Sequence, residues 1–428
     1  MPLPHRVYLE TGEVHCKLNV ILSAQVIRYL ETNRCAIVDQ MEDADFILIN
    51  SCGFDQEHED ACMGLFASAL SRRKNGAEVI CIGCLGPIAG ERIRSAFPEV
   101  RIADDLSALD ALISADTPFG SDKRACYDKE RIGHIPRRFR HAVNPVGRLA
   151  VPFARAAVRK FGRLPYPRTG TLRRILEEVD AENKLYVLIG TGCAQRCSYC
   201  VIKKAKGAPK SRPVRDILAD IRAAVRPGQV VSLVADDCAS YGSDIGETLF
   251  SLVRAIHAEF PSLPLDLTYL HPAWLERHPE EYLALFRLHP IRTANIPLQT
   301  GSDHVLGLMN RRYRTANVVR LIRRIKEISP YTLVTAHFIL GHPGERWSDF
   351  LRTLAATRHF HYYNNFLYSP RQGTASAELP DRVPEPFGRL RSQLSSAALG
   401  ARLLIDMFAF PVDRISERPD AGREAAPR

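Results

Sequence analysis

Three cysteines fall within eight residues in the run Gly192-Cys193-Ala194-Gln195-Arg196-Cys197-Ser198-Tyr199-Cys200. Thiolates this close have little room for separate partners and can converge on one metal centre. An iron–sulfur cube normally takes four thiolates, so three leave one iron open to a ligand from outside the protein. Zinc is the other reading. It takes four ligands, commonly as two separated pairs, and His257, His271 or Cys238 can supply a fourth. The run follows an apolar, strand-like stretch at 185–190, so it sits in a loop at a strand's carboxyl end. That is where α/β sheets place their chemistry.

A second set of thiols is spread through residues 1–115. Strand-like runs at 7–11, 46–50 and 79–83 alternate with helical patterns at 18–31 and 57–74. Such alternation predicts a parallel sheet. Cys16, Cys52 and Cys84 each lie just beyond one of these strands, and strand ends of a parallel sheet share one edge. The three can therefore meet as metal ligands, or each can be a small buried hydrophobe. Cys35, Cys62 and Cys81 precede a strand, fall within a helix and sit inside a strand, which reads as packing.

The chain has 428 residues, 46% hydrophobic and 25% charged, enough for two or three domains of an ordinary globular protein. It has no apolar run long enough to cross a membrane and no apolar core near its N-terminus of the kind a secretory signal needs. The expected location is the cytoplasm, where clustered thiols are metal ligands or catalysts rather than disulfides. Net charge is +10. Residues 123–174 hold 15 Lys and Arg against Asp128 and Glu130, so the remainder is net acidic. The segment 116–180, rich in Pro and Arg, reads as a basic insertion or linker with a short amphipathic piece at 150–161; it permits contact with a polyanion.

Residues 181–380 return to strict alternation. Strands are predicted at 185–190, 230–235, 265–270, 293–299, 333–340 and 362–369. Helices are predicted at 214–225, 247–259, 279–288, 316–328 and 348–359. Six such units predict an open, partial barrel. A closing helix follows at 386–408, within a C-terminal segment 381–410, and a disordered tail at 411–428. The predicted class is thus α/β, an N-terminal βαβ parallel-sheet domain followed by a partial (β/α)6 barrel.

The Cys-x3-Cys-x2-Cys run resembles the signature of the radical S-adenosylmethionine (SAM) superfamily. The resemblance implies a [4Fe–4S] cluster on Cys193, Cys197 and Cys200 as the catalytic set, SAM on the open iron, cleavage of SAM to a 5'-deoxyadenosyl radical, and Tyr199 beside the adenine. The stretches "HCKLN", "ADFILINSCGF", "VICIGCLG", "KLYVLIGTGCAQRCSYCVIKKAKG", "IPLQTGSDHVLGLMNRRY", "FILGHPGE" and "LYSPRQGTAS" together resemble the radical SAM methylthiotransferases, which replace C–H by C–S–CH3. This implies a second [4Fe–4S] cluster on Cys16, Cys52 and Cys84 that delivers sulfur. It also implies partners: a reductant such as flavodoxin or ferredoxin, and a sulfur donor.

Further residues are assigned by position. Gln299 and Ser302, at a strand end, are placed toward the SAM ribose or carboxylate. Gly341, Gly344 and Glu345 lie in a strand-to-helix turn whose glycines let backbone approach a cofactor, or form a plain turn. Asp236 and Asp237 follow the second barrel strand as substrate-side carboxylates or helix caps. Arg311 and Arg312 neutralise carboxylates of SAM or substrate, or form a solvated turn. Lys203, Lys204 and Lys206 shape the exit of the cluster loop. The residues after "LYSPRQGTAS" read as one helix and a polar tail, without the short strands of the RNA-binding TRAM barrel usual in the family. This favours a peptide or small-molecule substrate over tRNA or ribosomal protein, whereas "VADDCASYG" resembles the ribosomal-protein branch. The rivals are a radical SAM enzyme that inserts sulfur without methylation and a metal-stabilised RNA-binding protein.

Overall fold

The computed structural model describes residues 5–11, 16–128 and 183–408, with side chains up to residue 402. The predicted amphipathic piece at 150–161, most of the basic insertion and the tail lie outside the described residues.

The elements in chain order are β1 (Arg6–Glu10), α1 (Lys17–Thr32), β2 (Ala36–Ile37), β3 (Phe46–Ser51), α2 (Gln56–Arg72), β4 (Glu78–Gly83), α3 (Leu85–Ala96), β5 (Val100–Ile102), α4 (Ala108–Leu112) and β6 (Cys126–Asp128). There follow β7 (Lys184–Leu188), β8 (Gly190–Thr191), α5 (Ile202–Lys206), β9 (Lys210–Ser211), α6 (Val214–Ala224), β10 (Val230–Val234), α7 (Leu249–Glu259) and β11 (Leu265–Leu267). The described part ends with α8 (Pro272–Arg277), α9 (Pro279–Leu288), β12 (Ile291–Asn295), α10 (Asp303–Leu308), α11 (Thr315–Ile328), β13 (Leu333–Leu340), α12 (Trp347–Thr357), β14 (Tyr362–Leu367) and α13 (Glu385–Phe408).

The first sheet is parallel throughout, in the order β2-β1-β3-β4-β5. This is the 2-1-3-4-5 order of doubly wound sheets, whose ligand crevice opens at the carboxyl ends where the order reverses, between β1 and β3. The all-buried run FILINS of β3 is what a central parallel strand covered on both faces requires. Asp55 caps α2 by accepting from the His58 N–H at 2.9 Å.

The second sheet runs β14-β13-β12-β11-β10-β7-β6. Its first six strands are parallel, and β6 adds antiparallel to β7 at one edge. Alternate side chains on the parallel strands, such as Leu185, Val187, Val231, Leu233, Ala336, Phe338 and Leu340, pack outward against the covering helices. Those helices carry matching stripes: Val318, Leu321, Ile322 and Ile325 bury one face of α11. The sequence reading misses β6, placing its residues in the linker. Three residues are too few to show an alternating pattern.

The concave face of the second sheet is filled at one side by α1. Leu18, Ile21 and Ala24 pack against Ala125, Tyr127, Tyr186 and Val234. Burying a Leu or Ile contributes about 1.5–3 kcal/mol, so this wedge holds the two sheets together. On the other side the buried Arg371 pairs with the buried Glu59, and the Gln56 N–H donates to Ser369 Oγ at 3.1 Å. Both sets of strand ends therefore open toward one shared space.

Candidate active site

Loop 192–201 leaves the carboxyl end of β7 and is closed by the small antiparallel pair β8–β9. Gly192 has φ +79°, and a Cβ there would stand 2.2 Å from the Ala208 carbonyl oxygen, so the loop's first turn demands glycine. The Gln195 N–H donates to Cys193 Sγ and the Ile202 N–H to Cys200 Sγ, both at 3.4 Å. Burial pushes the Cys200 thiol up to about 12, with the neighbouring Cys197 adding to it. Burial also raises the Cys193 thiol, then Asp237. Cys193 and Cys200, desolvated and each accepting a backbone N–H, resist ionisation unless a cationic centre sits beside them.

Arg311 holds this loop from the barrel side. It is buried, and its guanidinium donates to Tyr313 Oη at 2.8 Å, Tyr199 Oη at 3.0 Å, the Pro297 carbonyl at 2.8 Å and Cys197 Sγ at 3.6 Å. The reading of Arg311 as a solvated turn is thus corrected, whereas Arg312 is exposed. Ser198 Oγ donates to the Leu308 carbonyl at 2.7 Å and lies 2.6 Å from Ser376 Oγ, which is 2.8 Å from His342 Nε2. The His342 ring meets that of Tyr199 edge-on at 6.5 Å. Of the three residues considered as a fourth ligand, His271 alone comes close, its Nε2 3.9 Å from Cys197 Sγ. Cys238 Sγ is engaged with the Leu233 carbonyl and Thr268, and His257 with His289.

The second triad forms at the ends of the first sheet. The β3–β4 register pairs Ser51 with Gly83, so the next residues, Cys52 and Cys84, emerge side by side. Gly83 has φ +91°, and a Cβ would meet the Ser51 carbonyl oxygen at 2.5 Å. Cys16 and Cys84 occupy the N-cap positions of α1 and α3, where the helix dipole favours a thiolate. The Cys52 thiol hydrogen-bonds Cys84 and lowers its pKa, aided by the Gly53 N–H at 3.3 Å and by Lys206, while burial opposes. Burial raises Cys16, against the pull of Lys206. A buried amide ladder fixes this geometry: Asn19 Nδ2 donates to the Ser51 carbonyl at 3.1 Å, and Asn50 Nδ2 to the Asn19 carbonyl and Ser23 Oγ, both at 2.8 Å.

Between the triads stand Asp236 and Lys206. Asp236 Oδ2 accepts from the Gly192 N–H at 2.8 Å. Burial alone would lower the Lys206 ammonium, but Asp236 and then Cys16, Cys84 and Cys52 outweigh it and raise its pKa. Lys206 ends α5, which packs on α3, and Lys204 Nζ donates to the Ile88 carbonyl of α3 at 2.8 Å. One cation thus faces all three N-terminal thiols and the carboxylate that ties down the other loop.

Other expected site residues have structural roles. Asp237 accepts from the N–H groups of Ala239 and His271 and from the Trp274 indole, as a cap, and burial pushes its carboxyl up to about 7. Ser302 donates to Asp349 at 2.6 Å and does not face the triad. Glu345 accepts from the Gly341 N–H at 2.8 Å and pairs with Arg391 of α13, so it anchors the closing helix. Gly341 and Gly344 both adopt positive φ, which gives the turn its shape. Gln299 differs. It has φ +66°, and its Oε1 is buried with no protein partner, an acceptor left for a ligand.

Among the described residues, no three His, Cys, Asp or Glu side chains group tightly enough to hold a single metal ion. Each triad supplies three free thiols, the donor chemistry of a [4Fe–4S] cluster with one iron left open. The Asn19–Asn50 ladder and Lys206 are the site residues the sequence reading missed or undervalued. An Asn inside the apolar run FILIN was the available signal, since a buried amide needs partners.

The model of the radical SAM superfamily matches residues 187–356. Those residues, from β7 to α12, make up the part of the chain that this model matches. Uncharacterized protein family UPF0004 matches residues 6–103, the whole of the first sheet. Across both parts the chain is 27% identical over 411 residues to tRNA-2-methylthio-N(6)-dimethylallyladenosine synthase of Akkermansia muciniphila, covering 91% of this chain and 82% of that one. It is 28% identical over 388 residues to ribosomal protein uS12 methylthiotransferase RimO of Syntrophotalea carbinolica, covering 88% and 76%. Among solved structures, the radical SAM methyltransferase TsrM from Kitasatospora setae aligns over 85% of this chain and 72% of that one, with a TM-score of 0.48 and 13% identity. No helix among the described residues is long and apolar enough to cross a membrane.

Proposed function

We propose that this radical SAM enzyme is a methylthiotransferase that converts a C–H bond of tRNA or of a ribosomal protein into C–S–CH3. The observation that carries the reading is the pair of cysteine triads opening on one space, with Lys206 and Asp236 between them. The names of the matched relatives, one acting on tRNA and the other on a ribosomal protein, support a macromolecular substrate over a free small molecule.

When bound, two [4Fe–4S] clusters and SAM supply the electron, the sulfur-carrying iron, the radical and the methyl group. The residues present do the rest. Cys193, Cys197 and Cys200 would hold one cluster, and Cys16, Cys52 and Cys84 the other. Arg311 fixes Tyr199 and Cys197, so the ring and the loop cannot drift apart. Gln299 offers its free Oε1 to an N–H donor. Lys206 offsets the negative charge gathered at the N-terminal triad. The α1 wedge would hold the two triads at a fixed separation. A reductant and a sulfur donor are the partners this chemistry requires.

The test is iron and sulfide content of anaerobically reconstituted protein, with the mass of its product. Wild type is expected to hold about eight irons and the Cys16/Cys52/Cys84→Ala variant about four. The product should gain one sulfur and one methyl group. Four irons in both proteins would overturn the reading, and so would a product that gains sulfur alone.

A further inference from the structure

A row of aromatic side chains runs from Phe54, close in sequence to Cys52 of the N-terminal triad, over β14 and β13 to Tyr269, and nothing in the cluster chemistry uses it. Phe54, two residues past Cys52, is 52% exposed. Its ring meets Phe366 of β14 at 5.4 Å and 70°. Phe366 meets His337 of β13 at 5.2 Å and 77°, and His337 meets Tyr269 at 5.7 Å and 59°. Tyr269 holds φ +51°, a strained backbone for a bulky residue that persists where surroundings or function demand it. Burial raises its phenol, and the charges of Cys16 and Asp236 add to that. Burial, helped by Lys17, pushes the His337 imidazole down to about 4, so the ring is neutral.

We propose that Phe54, Phe366, His337 and Tyr269 form the wall on which the reacting group of the substrate stacks, and that the wall selects a nucleobase over a carboxylate side chain. The inference rests on the methylthiotransferase reading. The Phe54–Phe366 and Phe366–His337 contacts are edge-on and the His337–Tyr269 contact is tilted, so no pair in the row stacks face to face. An aromatic face is electron-rich, so it repels a carboxylate, and burying an unpaired carboxylate there is costly. A planar uncharged base meets neither penalty and gains about 1–3 kcal/mol per stacked ring. Beside the wall, the Gln299 N–H donates to the His337 carbonyl at 2.8 Å and the Ile339 N–H to the Gln299 carbonyl at 2.9 Å. Gln299 Oε1 and Asn295 Oδ1 are both buried without partners. These are acceptors for the exocyclic N–H of a base, which a carboxylate does not possess.

The test is binding by reconstituted full-length protein to three probes. These are an RNA hairpin with N6-dimethylallyladenosine in its loop, the same hairpin with an abasic site there, and a peptide presenting an aspartate in a loop. Wild type is expected to prefer the base-bearing hairpin to the abasic one and to bind the peptide least. Phe54→Ala and Phe366→Ala should each weaken the base-bearing hairpin about 5- to 100-fold without changing the abasic one, and Phe54→Tyr should restore wild-type affinity. Equal affinity of wild type for the two hairpins, preference for the peptide, or equal losses on both hairpins would each overturn the wall. Failure of the methylthiotransferase reading would appear elsewhere, as about four irons in wild type or a product without the methylthio group.

Discussion

Arg311 shows how much a single buried guanidinium can organise. Its contacts to Tyr313, Tyr199, Pro297 and Cys197 use the planar fork in a way an ammonium cannot. Arg311→Lys should therefore fail as a conservative change, with cluster retention at the Cys193 loop about 10- to 100-fold weaker, read as iron remaining after anaerobic gel filtration. The glycines make a paired prediction. Gly192→Ala and Gly83→Ala each force a Cβ onto a carbonyl oxygen, at a cost of about 2–3 kcal/mol. Each should lower iron from about eight to about four, the first by emptying the central triad and the second the N-terminal one, distinguishable by whether SAM cleavage is lost. The imidazoles carry a pH signature. His337 and His342 are both pushed from 6.5 to about 4 by burial. The unfolded chain protonates them first as pH falls, so their contribution to stability is fully present above about 6.5 and is lost progressively toward 4. His337→Phe should flatten one share of that loss in denaturant midpoints measured from neutral to acid pH.

Among the elements, α1 matters most, because it belongs to the first sheet by sequence and to the second by packing. Ile21→Ala should cost about 2–5 kcal/mol, measured by denaturant unfolding, and should expose the junction to proteolysis. The helix itself was legible: its apolar period runs through 18–31, and the observed span is Lys17–Thr32. What it packs against was not, because Tyr127 and Ala125 sit near a strand three residues long, and such a strand leaves no periodic trace. The same limit hid β2, β5 and α5. The triads were legible because a parallel sheet puts strand ends on one edge. Ser302, Asp237 and Glu345 stayed ambiguous for the opposite reason. A polar residue after a strand is equally a cap or a ligand contact, and only the partner, such as Asp349 or Arg391, decides.

At the scale of the whole molecule, the two sheets are clamped at opposite sides of the site, by α1 and by Arg371 with Glu59. Glu59→Gln would leave the buried guanidinium without its charge partner, at a cost of about 3–5 kcal/mol. The expected result is a lower unfolding midpoint with early cleavage between the sheets under limited proteolysis; an unchanged cleavage pattern would show that α1 alone suffices.

The antiparallel edge strand β6 has a topological consequence. It pairs Asp128 with Leu185, so the chain departs for residues 129–182 and returns at neighbouring points of a single sheet edge. The described residues on either side of that segment, which carries most of the surplus of positive charge, thus lie side by side at one seam. Replacing the segment with a short glycine-rich turn should leave the iron content and unfolding midpoint intact, and recognition of a polyanion can be gained, lost or exchanged there without disturbing the catalytic frame.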